Sequence, residues 1–323
     1  MRSDASRGVQ EKLGPLKFGV HLPTGDVEFQ RVRDLAAQAE KLGYDSLWVA
    51  DHLVQKGRKA MPMSGGLFEP LTTLATLAST TSKTRLGTAI LLPLRHPLVV
   101  ANMIATLDNA SKGRVTLGLG VGWMKDEFDA LGIPFEERGQ IADESIEILK
   151  AVWTRNPASY KGKYFHFDDI TVNPKPLQKP HPPVWIGGNS TAAVRRAAAL
   201  GNGWIPTDYT VGEYEKGLKQ LKAECTIRKR KIETIAIASH LYMSIAKSHD
   251  KAVKAVKFLA KMTGDPITEV EKWSIVGTPT EVQARIKRYA DVGVTHHIFS
   301  FPRTGREEES YELLATEVIP AFK

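Results

Sequence analysis

Eight times along this chain a short apolar run is followed by a longer segment patterned like a helix, and no other feature limits its fold as strongly. The apolar runs are 17–22, 45–50, 84–92, 114–120, 183–187, 203–206, 235–244 and 294–301. Segments with apolar residues three and four apart follow them: 27–42, 71–79, 98–109, 140–153, the Ala-rich stretch after 190, 214–222, 251–261 and 308–318. Short continuous apolar runs suit strands buried on both faces, and the longer ones suit helices that cover them. Strands that alternate with helices imply a parallel sheet. Eight such units in 323 residues predict a (β/α)8 TIM barrel with inserted segments. A Rossmann sheet would carry its glycine-rich turn after the first strand, whereas here it follows the fifth. No linker-like stretch divides the chain. Residues 16–323 read as one domain, 1–15 as a flexible N-terminal tail, and 156–182 and 263–280 as insertions.

Composition excludes several classes. The single Cys225 rules out a disulfide framework and a Cys-rich metal site. No apolar run approaches the roughly 18 residues of a membrane span, and residues 1–8 lack a signal-peptide core. The expectation is a cytoplasmic protein with no membrane partner. Net charge is +8, and 211–261 alone holds 12 Lys and Arg against 5 Asp and Glu. Lys251, Lys254, Lys257 and Lys261 recur at helical spacing opposite Val253, Val256, Phe258 and Leu259, which reads as a solvated helix face. Nothing beside them suggests groove or base recognition, so no nucleic-acid partner is expected. The excess charge would instead attract an anionic ligand.

A barrel of this type carries its site at the C-terminal ends of the strands. The polar residues expected there are His21, the pair Asp51-His52, Arg95-His96 and the Gly120–Trp123 loop. After the fifth strand comes Gly187-Gly188-Asn189-Ser190, and a helical pattern opens behind it. Such a turn directs backbone N–H groups and the positive end of a helix dipole at one spot, a place for a phosphate. It also reads as an ordinary capped βα turn. His52 is the candidate proton donor or acceptor, with Asp51 beside it to fix its tautomer or brace the loop. His21 either meets a ligand ring or fills the barrel mouth, and Arg95 is an anion contact or a surface charge. Glu69-Pro70 reads as a helix start. His296 and His297 point to opposite faces of their strand, so at most one faces the interior. No His-x-His or His-x-x-x-His pair follows a strand, which argues against a metal-hydrolase barrel. No Gly-x-Ser-x-Gly elbow is present for acyl transfer.

Taken in order, these pieces resemble the luciferase-like superfamily of flavin- or deazaflavin-dependent oxidoreductases. The resemblance runs from about Leu16 to Phe322. It is carried by Lys17–Val20, Ala39–Trp48 with Asp51-His52, Glu69-Pro70-Leu71, Thr84–Thr88 with His96-Pro97, Gly113–Trp123, Trp185–Gly188 and Val276–Pro279. It implies a TIM barrel, often a homodimer, with FMN or coenzyme F420 lying at the strand ends. By this analogy Gly187, Gly188, Asn189 and Ser190 hold the phosphate. Thr88 and Ala89 form a bulge behind the ring, and His21, Gly120, Gly122 and Trp123 complete the cofactor site. His52 with Asp51 is the catalytic pair.

One departure stands out. Some deazaflavin dehydrogenases carry an acidic Glu just after the fourth strand, and here that position holds Trp123. This argues against a sugar-phosphate substrate. Coenzyme F420 is strongly anionic, which suits the basic chain better than FMN does. The expected activity is hydride transfer between F420 and a small organic substrate. The alternative is an FMN-dependent monooxygenase served by a separate flavin reductase. Met61, Met63, Leu67, Phe68, Trp123 and Tyr209 suggest either an apolar or planar substrate or packing under a mobile lid.

Overall fold

The structure is a computed structural model, and it describes residues 15–53 and 66–323. The expected N-terminal tail, apart from residue 15, and Met61 and Met63 lie outside the described residues.

Eight strands close a parallel barrel. In chain order they are β1 (Lys17–His21), β2 (Ser46–Val49), β3 (Arg85–Thr88), β4 (Val115–Leu119), β7 (Val184–Gly187), β8 (Gly203–Ile205), β9 (Ala236–Ile245) and β11 (His296–Ser300). Each pairs with the next, and β11 pairs with β1 to complete the ring. The covering helices are α1 (Phe29–Lys41), α2 (Pro70–Thr80), α3 (Pro97–Ala110), α5 (Arg138–Thr154), α6 (Thr191–Leu200), α7 (Val211–Ile227), α8 (His249–Thr263), α10 (Pro279–Asp291) and α11 (Glu307–Leu313). A short helix, α4 (Lys125–Ala130), lies between β4 and α5.

Local chemistry fixes the ends of these elements. Glu69 caps α2 by accepting from the Thr72 N–H, with Pro70 at the first helical position. Capping boxes open α7 (Thr210 with Glu213) and α10 (Thr278 with Glu281). The insertion at 156–182 contains an antiparallel hairpin, β5 (Ala158–Lys161) and β6 (His166–Ile170), separate from the barrel sheet. The insertion at 263–280 contains α9 (Ile267–Trp273) and β10 (Ile275–Gly277). β10 pairs with the outer end of β9, over Met243–Ile245.

The two faces of the strands have separate cores. Outward residues such as Phe18, Val20, Leu47, Leu117 and Phe299 pack under the helices. Inside the barrel, Trp48, Trp185, Ile205, Ala238 and Ile298 form a smaller cluster, with the indoles of Trp48 and Trp185 5.2 Å apart. His296 meets Trp185 in this interior, 5.1 Å edge to face, and His297 stacks between Phe18 and Phe299 on the outer face. The Lys251, Lys254, Lys257 and Lys261 side chains are exposed along α8, and Cys225 is buried. Among the described residues no helix is long and apolar enough to cross a membrane.

The third strand is shorter than its apolar run. Regular pairing stops at Thr88, whose hydroxyl donates to the Gly118 carbonyl at 2.7 Å. The Ala89–Ile90 peptide is cis, and the ladder resumes at a single Leu91–Leu119 bridge. Glycines on the neighbouring strands make room for this detour. A Cβ on Gly118 would lie 2.0 Å from the Thr88 carbonyl oxygen, and one on Gly187 would lie 2.6 Å from the Ile90 side chain.

Candidate active site

All barrel strands are parallel, so their C-terminal ends open on one face, and a cavity of about 920 Å³ lies there. His21, Asp51, His52, Ala89, Gly122, Trp123, Gly187, Gly188 and Asn189, all expected at the site, line it. Thr88, Gly120 and Ser190 do not. Thr88 is tied to β4, a Cβ on Gly120 would run into Ile90, and the Ser190 hydroxyl caps α6 by accepting from the Ala193 N–H at 3.2 Å. Leu67 lines the cavity too. Phe68 packs edge to face on Phe29, and Tyr209 packs against Trp204 and Tyr214.

One wall follows β2, β3 and β4, and its polar groups are paired. The fully buried Asp51 carboxylate receives both Arg95 terminal nitrogens, at 2.8 and 3.0 Å, and the Leu92 N–H at 2.9 Å. Arg95 reaches on to Glu69 at 2.9 Å. Arg95 is therefore a brace between two loops rather than a surface charge. His96 caps α3, accepting from the Leu98 N–H. His52 Nδ1 lies 3.0 Å from Glu127 Oε2, and the other oxygen of that carboxylate accepts the Leu53 N–H at 2.8 Å. The edge of the exposed Trp123 indole meets the His52 ring at 5.9 Å. Glu127 escapes a reading of the sequence. It sits among Asp126 and Asp129 like any solvated charge, and only the neighbouring Phe128, which is fully buried, hints that this turn of α4 faces inward.

The fifth-strand turn is stapled from behind. Gly188 adopts a φ of 124°, a left-handed conformation that suits glycine. The Asn189 amide is spent on the backbone of Thr207, donating to its carbonyl at 2.7 Å and accepting its N–H at 3.0 Å. Tyr209 OH donates to the Asn189 carbonyl. The turn thus offers the cavity a helix N-terminus and backbone, not the Asn189 side-chain amide.

The opposite wall, from β1, β8, β9 and β11, combines burial with unmet polar atoms. His21 and His240 approach to 4.9 Å between ring centroids, and His240 Nε2 bonds to Ser300 Oγ at 2.8 Å. His21 Nε2 is buried without a partner among the described residues, as is Asp208 Oδ1. Burial, then the neighbouring His240 and Arg303, holds the His21 pKa well below its ordinary range. Burial brings His240 down to about 4 and pushes the Asp208 carboxyl up to about 7, against the opposing hydrogen bond from the Tyr242 backbone. Tyr242, Trp273, Phe301 and Arg303 complete this side. Among the described residues no cluster of three or more His, Cys, Asp or Glu is placed to hold a metal ion.

The sequence and the fold match known proteins over nearly the whole chain. An F420-dependent glucose-6-phosphate dehydrogenase of Microbacterium testaceum is 29% identical, over 96% of this chain and 98% of that protein. The coenzyme F420-dependent tetrahydromethanopterin reductase of Methanopyrus kandleri superposes with a TM-score of 0.82 at 25% identity, covering 96% of this chain and all of that one. The monooxygenase RslO1 of Streptomyces bottropensis superposes with a TM-score of 0.83, also at 25% identity, covering 95% and 100%. Residues 15–296 match the family model described as luciferase-like monooxygenase. On that match, and on a barrel whose strand-end loops form one cavity, the chain belongs to the luciferase-like monooxygenase family.

Proposed function

We propose that this chain is an F420-dependent oxidoreductase that transfers a hydride to or from a small organic substrate at the C-terminal mouth of the barrel. The observation that carries the reading is the cavity itself. The strand-end His52 and four buried polar atoms that have no partner among the described residues, His21 Nε2, Thr24 Oγ1, Asp208 Oδ1 and the Tyr311 hydroxyl, belong to residues that line one space. Buried polar atoms without partners are rare in folded proteins and call for a ligand or water that supplies the missing bonds. A planar ring with polar edges and an attached phosphate fits such a cavity, and relatives similar along the whole chain are F420-dependent enzymes.

When bound, coenzyme F420 supplies or accepts the hydride at C5 of its ring; the protein binds, orients and manages protons. The Gly187-Gly188 backbone and the N-terminus of α6 receive the phosphate, with Asn189 and Ser190 shaping the turn. Ala89 backs the ring, with Thr88 and Gly120 holding the detour in β3. His21, Gly122 and Trp123 border the same space. His52 holds or accepts the proton at Nε2, the nitrogen not engaged by Glu127. Asp51 is a positioning residue, since Arg95 and the Leu92 N–H occupy its carboxylate. Asp208, Asp265, Tyr242, Trp273, Phe301 and Arg303 line the cavity as well. The aromatic rings among them favour a partly planar substrate. In keeping with the family resemblance, the protein acts as a cytoplasmic homodimer without nucleic acid or membrane. Parallel titrations of the purified protein with coenzyme F420 and with FMN, at low and moderate salt, test the reading. Tight, salt-weakened binding of F420 alone supports it. Binding of FMN alone overturns it in favour of a monooxygenase that needs a flavin reductase.

A further inference from the structure

We propose that Glu127 is the positioning residue for His52, holding it in the neutral tautomer that is protonated at Nδ1 and bare at Nε2. The inference builds on the role given to His52 above and adds a residue outside the cavity lining. The Glu127 side chain is fully buried, and the His52 side chain is 13% exposed. Glu127 approaches two donors that belong to adjacent residues of one loop. Oε2 faces His52 Nδ1 at 3.0 Å, and Oε1 accepts the Leu53 backbone N–H at 2.8 Å. A carboxylate only accepts hydrogen bonds, so Nδ1 must be the donor. In a neutral imidazole the proton sits on one nitrogen only, and the partner of one nitrogen decides the state of the other. Nε2 is therefore an acceptor, on a residue that lines the cavity.

Among the described residues, Asp51 and Trp123 do not compete for this task. Asp51, on the same loop, is bound by Arg95 and the Leu92 N–H. Trp123 presents a ring edge. α4 delivers Glu127 from behind, so His52 is fixed from a different strand–helix unit than its own. Glutamine cannot replace the carboxylate. It carries one acceptor oxygen and one donor NH2, so it must turn a donor toward either Nδ1–H or the Leu53 N–H. The relaxed solution in Glu127→Gln bonds the amide oxygen to Leu53 and the NH2 to a bare Nδ1, which moves the imidazole proton to Nε2.

The test is the 15N spectrum of the full chain labelled at histidine, recorded without cofactor, with the His52 signals identified by their loss in His52→Gln. The expected wild-type pattern is a protonated Nδ1 and an unprotonated Nε2. In Glu127→Gln the two assignments exchange, and in Glu127→Asp, which keeps a carboxylate, the wild-type pattern returns. A wild-type His52 protonated at Nε2 overturns the proposal, and so does an unchanged tautomer in a folded Glu127→Gln protein. If Glu127→Gln does not fold, the wild-type and Glu127→Asp spectra still decide. The spectra do not involve turnover. A His52→Ala protein that transfers hydride normally would refute the role given to His52 in the proposed function and leave the tautomer result standing.

Discussion

The two walls of the barrel mouth solve the burial of polar groups in opposite ways. On the β2–β4 side every charge has its counterpart: Asp51 with Arg95, Arg95 with Glu69, His52 with Glu127. On the side of β8, β9, β11 and β1, His21 Nε2 and Asp208 Oδ1 are buried with no partner among the described residues, and burial pushes the pKa values of His21, His240 and Asp208 toward their neutral forms. The first wall is held by its own ion pairs and hydrogen bonds. The second leaves bonds that a ligand or water would complete. On the function proposed above, preorganised groups suit a wall that moves a proton, and unmet groups suit a wall that recognises a ligand.

The largest expected effect comes from breaking the paired wall. Arg95→Ala leaves the fully buried Asp51 with only the Leu92 N–H among the described residues, and leaves Glu69 with the Thr72 N–H but no cation. Removing one partner of a buried ion pair leaves an uncompensated charge, which typically costs about 3–5 kcal/mol. Urea denaturation should show this as a lower midpoint with an unchanged slope. A loss below about 1 kcal/mol, the range of surface pairs, would mean that the wall is not held by its charges.

The unmet wall should show itself in acid. His240 titrates near 4 in the folded chain, against 6.5 ordinarily. A histidine depressed in this way is neutral when folded and charged when unfolded over that window. Its stabilising contribution is fully present above about 6.5 and is lost as the pH falls toward 4. His240→Asn should therefore shrink the stability difference between pH 7 and pH 4.5 by about 2 kcal/mol. His296 and His297, held near 4 and 3 by burial, add slope of the same sign and remain in the variant. An unaltered difference would mean that His240 is solvated at the cavity floor.

How much of each wall the sequence reveals follows from the same contrast. The barrel is legible because hydrophobic alternation sets it, and His21, Asp51, His52 and the Gly187-Gly188 turn are legible because they stand where an apolar run stops. Arg95 is visible but ambiguous, because its partners Asp51 and Glu69 lie far away in sequence. His240 and Tyr242 are hidden inside the 10-residue β9, which reads as core throughout although these two side chains line the cavity. Asp208 follows Pro206 in what reads as an ordinary loop, with a φ of 56° that no local pattern announces. Glu127 sits in an acidic stretch, and only the packing of α4 turns it toward His52.

Asp208 sharpens the comparison further, with the opposite sign to His240. Its carboxyl is pushed up to about 7 from an ordinary 3.8. The folded protein then holds a proton that the unfolded chain has released. The penalty of burying the carboxylate grows as the pH rises from about 4 and is complete above 7. Asp208→Asn should match the wild type near pH 4 and exceed it by about 4 kcal/mol at pH 8. Thermal melts at the two pH values check this. A variant less stable at pH 8 would reveal a partner that keeps Asp208 charged, and the wall would then count as paired.

The smallest effect separates two jobs that one hydroxyl cannot easily do at once. Ser190 Oγ accepts from the Ala193 N–H and so caps α6. If capping is its main task, Ser190→Ala should lose about 1 kcal/mol of stability. Its affinity for coenzyme F420 should change less than about threefold, because the Gly187-Gly188 backbone and the remaining free N–H groups of the first turn still meet the phosphate. If the hydroxyl instead holds the phosphate, a charge-assisted hydrogen bond worth about 1.5–3 kcal/mol is lost, and binding weakens by about tenfold or more. Stability and affinity measured on one variant thus decide whether the fifth-strand turn recognises its anion by backbone alone. That outcome would make it the one part of the mouth whose specificity is independent of side chains on either wall.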